Sequence, residues 1–504
     1  MGADTLLTLL GLLIAAYAVL PVERQLDLKL RLKSVDWLVA GTALFLVLYI
    51  QFYPVLSSLR IAPYLGRWRW GFDKENASLL IVLGSFIFIF LRAQRARVQA
   101  SSIKTFRTLI ERLISEGKYS SGLFLLEQHL EALFRIYIGE NSQGNFRRHR
   151  PSSRLQIASS NDSETAQDVV RRCLLNEQFV SYLAKARPYF ALEVLSHEFR
   201  EREEFMNQFL VALLHDKTSV IYHEIKHNQN CNHAFASRYI IHDYNRLIHY
   251  FLADARVAER MEIWRPFGDF VIKLLDDQFY KHEHHAYNGA IGSYREDGRW
   301  RCPVNASIWF FNAMVIEALY QGIAWHMWLY YFPQFTKRIL RNMDPTLSDI
   351  DTLSELPTPY HYLLNEIFEA LCGWIESGSN VPCTQENIAL KSTRIDHENG
   401  NIPKSAMLAL GIALREAMLS RNVDTSFRSD LLEGILRCYF DLLAKPSMRE
   451  YSMLFQDIIA NGGFSCEETQ REYIDNLSAA LAHVDHIPFP CSAWSELVNR
   501  VNSQ

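Results

Sequence analysis

The sequence predicts an all-α protein in which three N-terminal transmembrane helices precede a large cytosolic α-helical domain. Three observations carry that expectation: apolar stretches of bilayer length confined to residues 1–97, a 3.6-residue apolar period through nearly everything after them, and no convincing set of alternating strands. The chain has 504 residues, 49% of them apolar and 21% charged, with 22 Gly and 16 Pro. That composition excludes collagen-like, low-complexity and wholly disordered classes.

The membrane domain is expected at residues 1–97, with helices at about 6–22 (LLTLLGLLIAAYAVLPV), 37–56 (WLVAGTALFLVLYIQFYPVL) and 77–93 (opening ASLLIVLGSFIFIFL). The first stretch has no basic residue before it and no small-x-small cleavage site after it, so it reads as a retained span and not as a signal peptide. Arg24, Lys29, Arg31 and Lys33 follow the first span, and Arg92, Arg95 and Arg97 follow the third. By the positive-inside rule these lie at the cytoplasmic surface, which puts the N-terminus outside and the C-terminal domain in the cytoplasm, at the plasma (inner) membrane if the source is bacterial. The middle connection, with Arg60 to Lys74, is also basic and weakens the asymmetry, although Trp68 and Trp70 suit an interfacial belt on the far side. No span carries Asp, Glu, Lys, Arg or His in its middle, so a charged transport pathway has no visible residues and an anchor in the lipid bilayer is the expectation. Self-association into a homo-oligomer, or into a pore, stays open.

Beyond the spans, Ile103, Phe106, Ile110 and Leu113 form one helical stripe stopped by Gly117, and Leu123, Leu126, Leu130, Leu133 and Phe134 form a second. Residues 98–138 therefore read as a juxtamembrane αα-hairpin. Residues 139–166 are rich in Gly, Ser, Asn and Arg and read as a linker or mobile loop, with Arg147, Arg148 and Arg150 placed to meet anionic headgroups. Residues 167–504 form the cytosolic all-α domain. Its helices are expected as one long element running from Tyr189 through Phe199 to Leu213, a second around Ile240–Leu252, a third through Tyr362–Ile375 and a fourth through Leu431–Phe440. The run Ile308–Phe332 is long enough to be misread as a fourth span. Asn312, Glu317, Gln321 and His326 interrupt it, so a central helix of the soluble core, or a surface leaning on the membrane, is expected.

The net charge of −4 hides about 20 basic and 11 acidic residues in the first 160, roughly +9, which leaves roughly −13 on the remainder. A nucleic-acid partner is not expected. The eight cysteines all lie after residue 166 without a C-x-x-C pair, as reduced thiols of a cytosolic domain do.

The one spacing with catalytic meaning is HEIKH at 223–227. On a helix it sets His223 and His227 on one face to ligate Zn²⁺, with Glu224 beside them as the base that takes a proton from metal-bound water. Read on to HEIKHNQNCNH, the segment resembles the metzincin pattern H-E-x-x-H-x-x-G-x-x-H, which implies His233 as a third ligand, with Asn230 at the glycine position. Lys226 among the ligands, the lack of a convincing Met-turn and the lack of a substrate-binding sheet depart from that family. In the plainer alternative Glu224, Asn228 and Asn230 hydrogen-bond neighbouring turns. KHEHH at 281–285 reads as an exposed histidine-rich loop, and 376–402 as a second long loop of the kind that contacts partners. No nucleotide cradle, nucleophile elbow or dinucleotide fingerprint occurs.

The expected function is that of a membrane-anchored protein whose cytosolic helical domain binds a protein partner and signals to, or acts at, the membrane. The layout matches bacterial stress or defence effectors by architectural analogy alone. No cofactor is expected on this reading. The alternative is a membrane-tethered zinc metallopeptidase using the HEIKH segment.

Overall fold

A computed structural model describes residues 18–32, 34–59, 74–95, 98–139, 160–229, 241–325, 328–345, 356–378, 381, 401–463, 470–484 and 491–502, together with Gly11 and Ala15. It is all-helical, with no strand among the described residues. The chain divides into two compact units, one of Met1–Ala186 with Glu193–Glu201, the other of Arg187–Leu192 with Arg202–Gln504.

The first unit opens with α1 (Val22–Arg31), α2 (Ser34–Ser58) and α3 (Lys74–Arg95). Most of the expected span at 6–22 lies outside the described residues. At 1.5 Å per residue the 25 residues of α2 extend about 38 Å, more than the ~30 Å of bilayer hydrocarbon. The window Val35–Tyr53 is only 17% buried, and α2 is the one helix among the described residues long and apolar enough to cross a membrane; the apolar run of α3, Asn76–Arg92, is shorter.

Helices α2 and α3 pack as a hairpin tied at both ends. Arg92 meets the buried Asp36 at 3.5 Å, and Gln51 Nε2 donates to Ser78 Oγ at 3.2 Å. Helix α1 turns Asp27 and Leu30 inward. Asp27 Oδ1 accepts from Arg31 Nε at 2.7 Å and lies 3.1 Å from His129 Nε2, while His129 Nδ1 accepts from the Val98 N–H at 3.4 Å. The imidazole is thus held in the tautomer protonated at Nε2. Burial raises the Asp27 carboxyl, and the hydrogen bonds from His129 and Arg31 outweigh it, leaving it below the usual carboxylate range.

The hairpin expected at 98–138 is present as α4 (Ile103–Ser115) and α5 (Tyr119–Ile138). Gly117 has φ +69°, its N–H reaches Ile114 O at 3.0 Å, and Lys118 N–H reaches Leu113 O at 2.8 Å. This paired closure needs a residue that adopts the left-handed region without strain. Two further helices, α6 (Ser160–Leu174) and α7 (Glu177–Ala186), complete the unit, α6 packing on both α4 and α5. Residues 160–166, expected as the end of the linker, are instead helical: Thr165 and Ala166 are buried and Ser163 Oγ donates to Tyr137 O at 2.8 Å.

The long helix expected from Tyr189 to Leu213 is two, α8 (Pro188–Leu195) and α9 (Arg202–His215). The chain between them is held in the first unit. His197 stacks on Phe134 with centroids 4.3 Å apart, and Arg200 N–H donates to Tyr137 Oη at 3.0 Å. Contacts from sixty residues upstream override a continuous apolar period.

The second unit continues through α10 (Val220–Gln229), α11 (Arg246–Leu252), α12 (Ala255–Arg260), α13 (Trp264–Asp276), α14 (Lys281–Asn288), α15 (Pro303–Tyr320), α16 (Tyr331–Asn342) and α17 (Pro359–Ser377). It closes with α18 (Ile402–Leu419), α19 (Thr425–Leu443), α20 (Arg449–Asn461), α21 (Gln470–His483) and α22 (Cys491–Asn502). Its axis is α18, buried at all but three of its 18 residues, Lys404, Ser405 and Arg415 included. Helices α16, α17, α20 and α21 pack around it. The approach of α20 is close: a Cβ on Gly411 would lie 2.4 Å from Ile458 Cγ2 and 2.8 Å from Gly463 N.

The run Ile308–Phe332 is not one element. Its first part lies in α15, which ends where Gly322, at φ +77°, reverses the chain. The interrupting polar residues have partners within the fold: Asn312 Oδ1 accepts from Trp374 Nε1 at 2.8 Å, and Gln321 accepts from Ala255 N–H at 2.9 Å while donating to Ala253 O at 3.0 Å. The core-helix expectation holds for α15; His326 lies outside the described residues.

Candidate functional site

The HEIKH residues sit on α10, and helical geometry sorts them onto two faces. His223, Lys226 and His227 are exposed, whereas Glu224 and Asn228 are buried. The inward pair locks α10 to α11. Glu224 Oε2 accepts from the N–H groups of Leu247 at 2.9 Å and Ile248 at 3.0 Å, and Oε1 accepts from Tyr189 Oη at 3.0 Å. Asn245 stands at the N-cap of α11 and its side chain does not cap; it donates instead to Asn228 Oδ1 at 3.0 Å. A carboxylate from the neighbouring helix thus does the capping that the local asparagine leaves undone.

Burial raises the Glu224 carboxyl above its usual value, against the hydrogen bonds that lower it. The same burial, with Glu224 beside it, pushes the Tyr189 phenol up to about 12. The Arg246 guanidinium lies over the Tyr189 ring at 4.6 Å and closes the cluster.

His223 and His227 share the exposed face as their i, i+4 spacing requires, but the Glu224 carboxylate is on the other side of the helix, satisfied by three donors. His233 and Asn230 lie outside the described residues. Among the described residues no group of three or more His, Cys, Asp or Glu is placed to hold a metal ion. Of the membrane-surface candidates, Arg92 is exposed and reaches Asp36; Arg95 ends α3; Arg97, Arg147, Arg148 and Arg150 lie outside the described residues.

KHEHH, expected as a loop, is the helix α14. Its Glu283 is buried and ion-paired with Lys217, and His284 Nδ1 lies 2.6 Å from Tyr360 Oη on α17. Packing against α17 explains the difference: the polar string has one inward face, formed by Glu283 and Tyr287. Most of the 376–402 loop lies outside the described residues, α17 running on to Ser377.

Beside the exposed face of α10 is a cavity of about 490 Å³ whose lining includes Lys217, His223, Lys226, Asp297, Trp300 and Arg301. Lys226 Nζ meets Asp297 Oδ1 at 3.0 Å; this contact, with Arg301 nearby, holds the Asp297 carboxyl below its usual value. Lys226 is legible in the sequence as a cation beside His223, whereas Lys217 and Arg301 are not. The signal available was the basic and aromatic GRWR at 298–301, which has no meaning until a fold brings it to α10. Comparison of the chain with protein-family models, with curated proteins and with solved structures finds no match in any of the three.

Proposed function

We propose that the chain is a multi-pass membrane protein, anchored by three N-terminal helices, whose large helical domain lies in the cytoplasm, binds a protein partner and conveys that event to the bilayer. The observation that carries the anchoring is the α2–α3 hairpin. Trp37, Leu38, Phe45, Phe52 and Val55 on α2 are each 53–69% exposed, and Leu80, Leu83, Phe86 and Phe90 on α3 are each 49–51% exposed. Apolar surface of that extent is costly in water, at about 25 cal/mol per Å², and costs nothing in hydrocarbon.

The polar ties support the same reading. From Asp36 to Gln51 is 15 residues, about 22 Å along the helix axis, so both links sit towards the ends of an apolar slab and leave its middle free of charge. Arg92 and Asp36 mark the end of the hairpin from which the chain enters its cytosolic part. Partner binding rests on architecture: a large helical domain behind an anchor without charged residues in the middle of its spans.

A reporter fused after residue 110 tests the orientation. Activity in the cytoplasm is expected, and activity outside the cell overturns the topology.

A further inference from the structure

We propose that the cavity beside α10 binds a phosphate-bearing small molecule, with Lys217, Lys226 and Arg301 as its principal contacts. The site belongs to the second unit and stands whether or not the N-terminal helices enter a bilayer. Its volume, about 490 Å³, lies within the range of small-molecule sites. Its wall is rich in donors. Lys217 and Lys226 are each positioned by one carboxylate, Glu283 and Asp297, and an ammonium that spends one N–H on an ion pair still offers two.

Arg301 adds a planar fork of five donors and is exposed at the rim. On the acceptor side, Asp297 is 77% exposed and well hydrated, and Glu283 stands behind Lys217 with 9% of its side chain exposed. Two lysines anchored by carboxylates and an exposed arginine, with unused donors, match a ligand that brings several acceptor oxygens and more than one negative charge. Phosphate does so, and a single carboxylate does not.

Trp300 and Tyr222 line the same cavity with little of their surface exposed, and the Arg299 guanidinium lies over the Trp300 ring at 4.4 Å. The indole is therefore held in place and offers an apolar wall for the organic part of the ligand.

The test is isothermal titration of the detergent-purified full chain with inorganic pyrophosphate, at ionic strength held constant with sodium chloride. Saturable binding is expected, weakened about 10-fold or more by Arg301→Ala and by Lys226→Ala. Both residues are exposed, so their replacement leaves the fold intact, as the melting temperature of each variant verifies. Lys337→Ala, on an exposed lysine outside the cavity, is expected to leave the affinity unchanged. ATP and dihexanoyl phosphatidic acid, titrated separately, distinguish a soluble phosphate ester from a lipid headgroup by which of them binds more tightly. Absence of pyrophosphate binding, or equal weakening by Lys337→Ala and Arg301→Ala, overturns the proposal.

Discussion

Replacing Glu224 by alanine removes the cap of α11 and leaves the buried N–H groups of Leu247 and Ile248 without an acceptor. Each residue is fully buried, and the N-cap residue Asn245 is engaged with Asn228, so no local side chain takes over. An unsatisfied buried donor costs about 1–3 kcal/mol, and two of them together with the lost Tyr189 contact give a loss of roughly 3–5 kcal/mol. At about 1.5 °C per kcal/mol for a unit of roughly 310 residues, the melting temperature falls by roughly 5–8 °C. Glutamine is different. It keeps an oxygen for the two N–H groups and turns its amide toward a Tyr189 hydroxyl that can rotate to accept, so Glu224→Gln costs only about 1 kcal/mol.

The pH dependence follows from the sign of the shift. Because the folded-state pKa of Glu224 is raised, its contribution to stability is full below the ordinary value of 4.5 and is lost as pH rises through the folded value. Glu224→Gln removes that slope. Thermal unfolding followed by circular dichroism at 222 nm measures the parent and both variants. A Glu224→Ala protein that melts within 1 °C of the parent would show that the carboxylate does not cap α11 and would refute the reasoning.

Other perturbations have equally definite outcomes. Gly411→Ala forces a methyl against Ile458 and the backbone of Gly463; a loss of about 1–3 kcal/mol is expected in denaturant unfolding, and an unchanged midpoint would contradict the close packing of α18 and α20. Asp27→Ala strips Arg31 and His129 of their shared acceptor and should destabilise the first unit by about 1–3 kcal/mol, read as faster amide exchange in α1 and α5. Since the Asp27 carboxyl is held below its usual value of 3.8, its contribution is present above that pH and lost as pH falls through the lowered value; protection in α1 that persists unchanged through that acid range counts against the linkage. Phe45→Arg places a charge on the exposed apolar face of α2 and should disfavour insertion by about 3 kcal/mol, measured as the fraction of chains with α2 spanning in a glycosylation-mapping assay.

Much of the fold was legible because local signals and tertiary packing agree. The apolar stripe ending at Gly117 produced the α4–α5 hairpin as expected, and the stripes through Tyr362–Ile375 and Leu431–Phe440 lie in α17 and α19. The failures occur where distant residues decide. Nothing local stops a helix at Leu195; the break comes from Phe134 and Tyr137 engaging His197 and Arg200. KHEHH has no loop-breaking residue of its own, and α17 gives it an inward face.

The HEIKH spacing correctly placed His223 and His227 together on one helical face. That Glu224 and Asn228 hydrogen-bond within the fold was legible in the plainer alternative, but the partners of Glu224 were not, since they are backbone N–H groups 23 and 24 residues further on and carry no sequence signature. The cationic cavity escaped notice for the same reason: Lys217, Lys226 and Arg301 are separated in the chain and meet only in the fold.

Alkaline carbonate extraction of membranes from cells expressing the intact chain tests most directly whether the α2–α3 hairpin resides in a bilayer. The protein is expected to remain with the sedimented membranes after the wash and to leave them only with detergent. Recovery of the full-length chain in the carbonate supernatant would contradict a bilayer location.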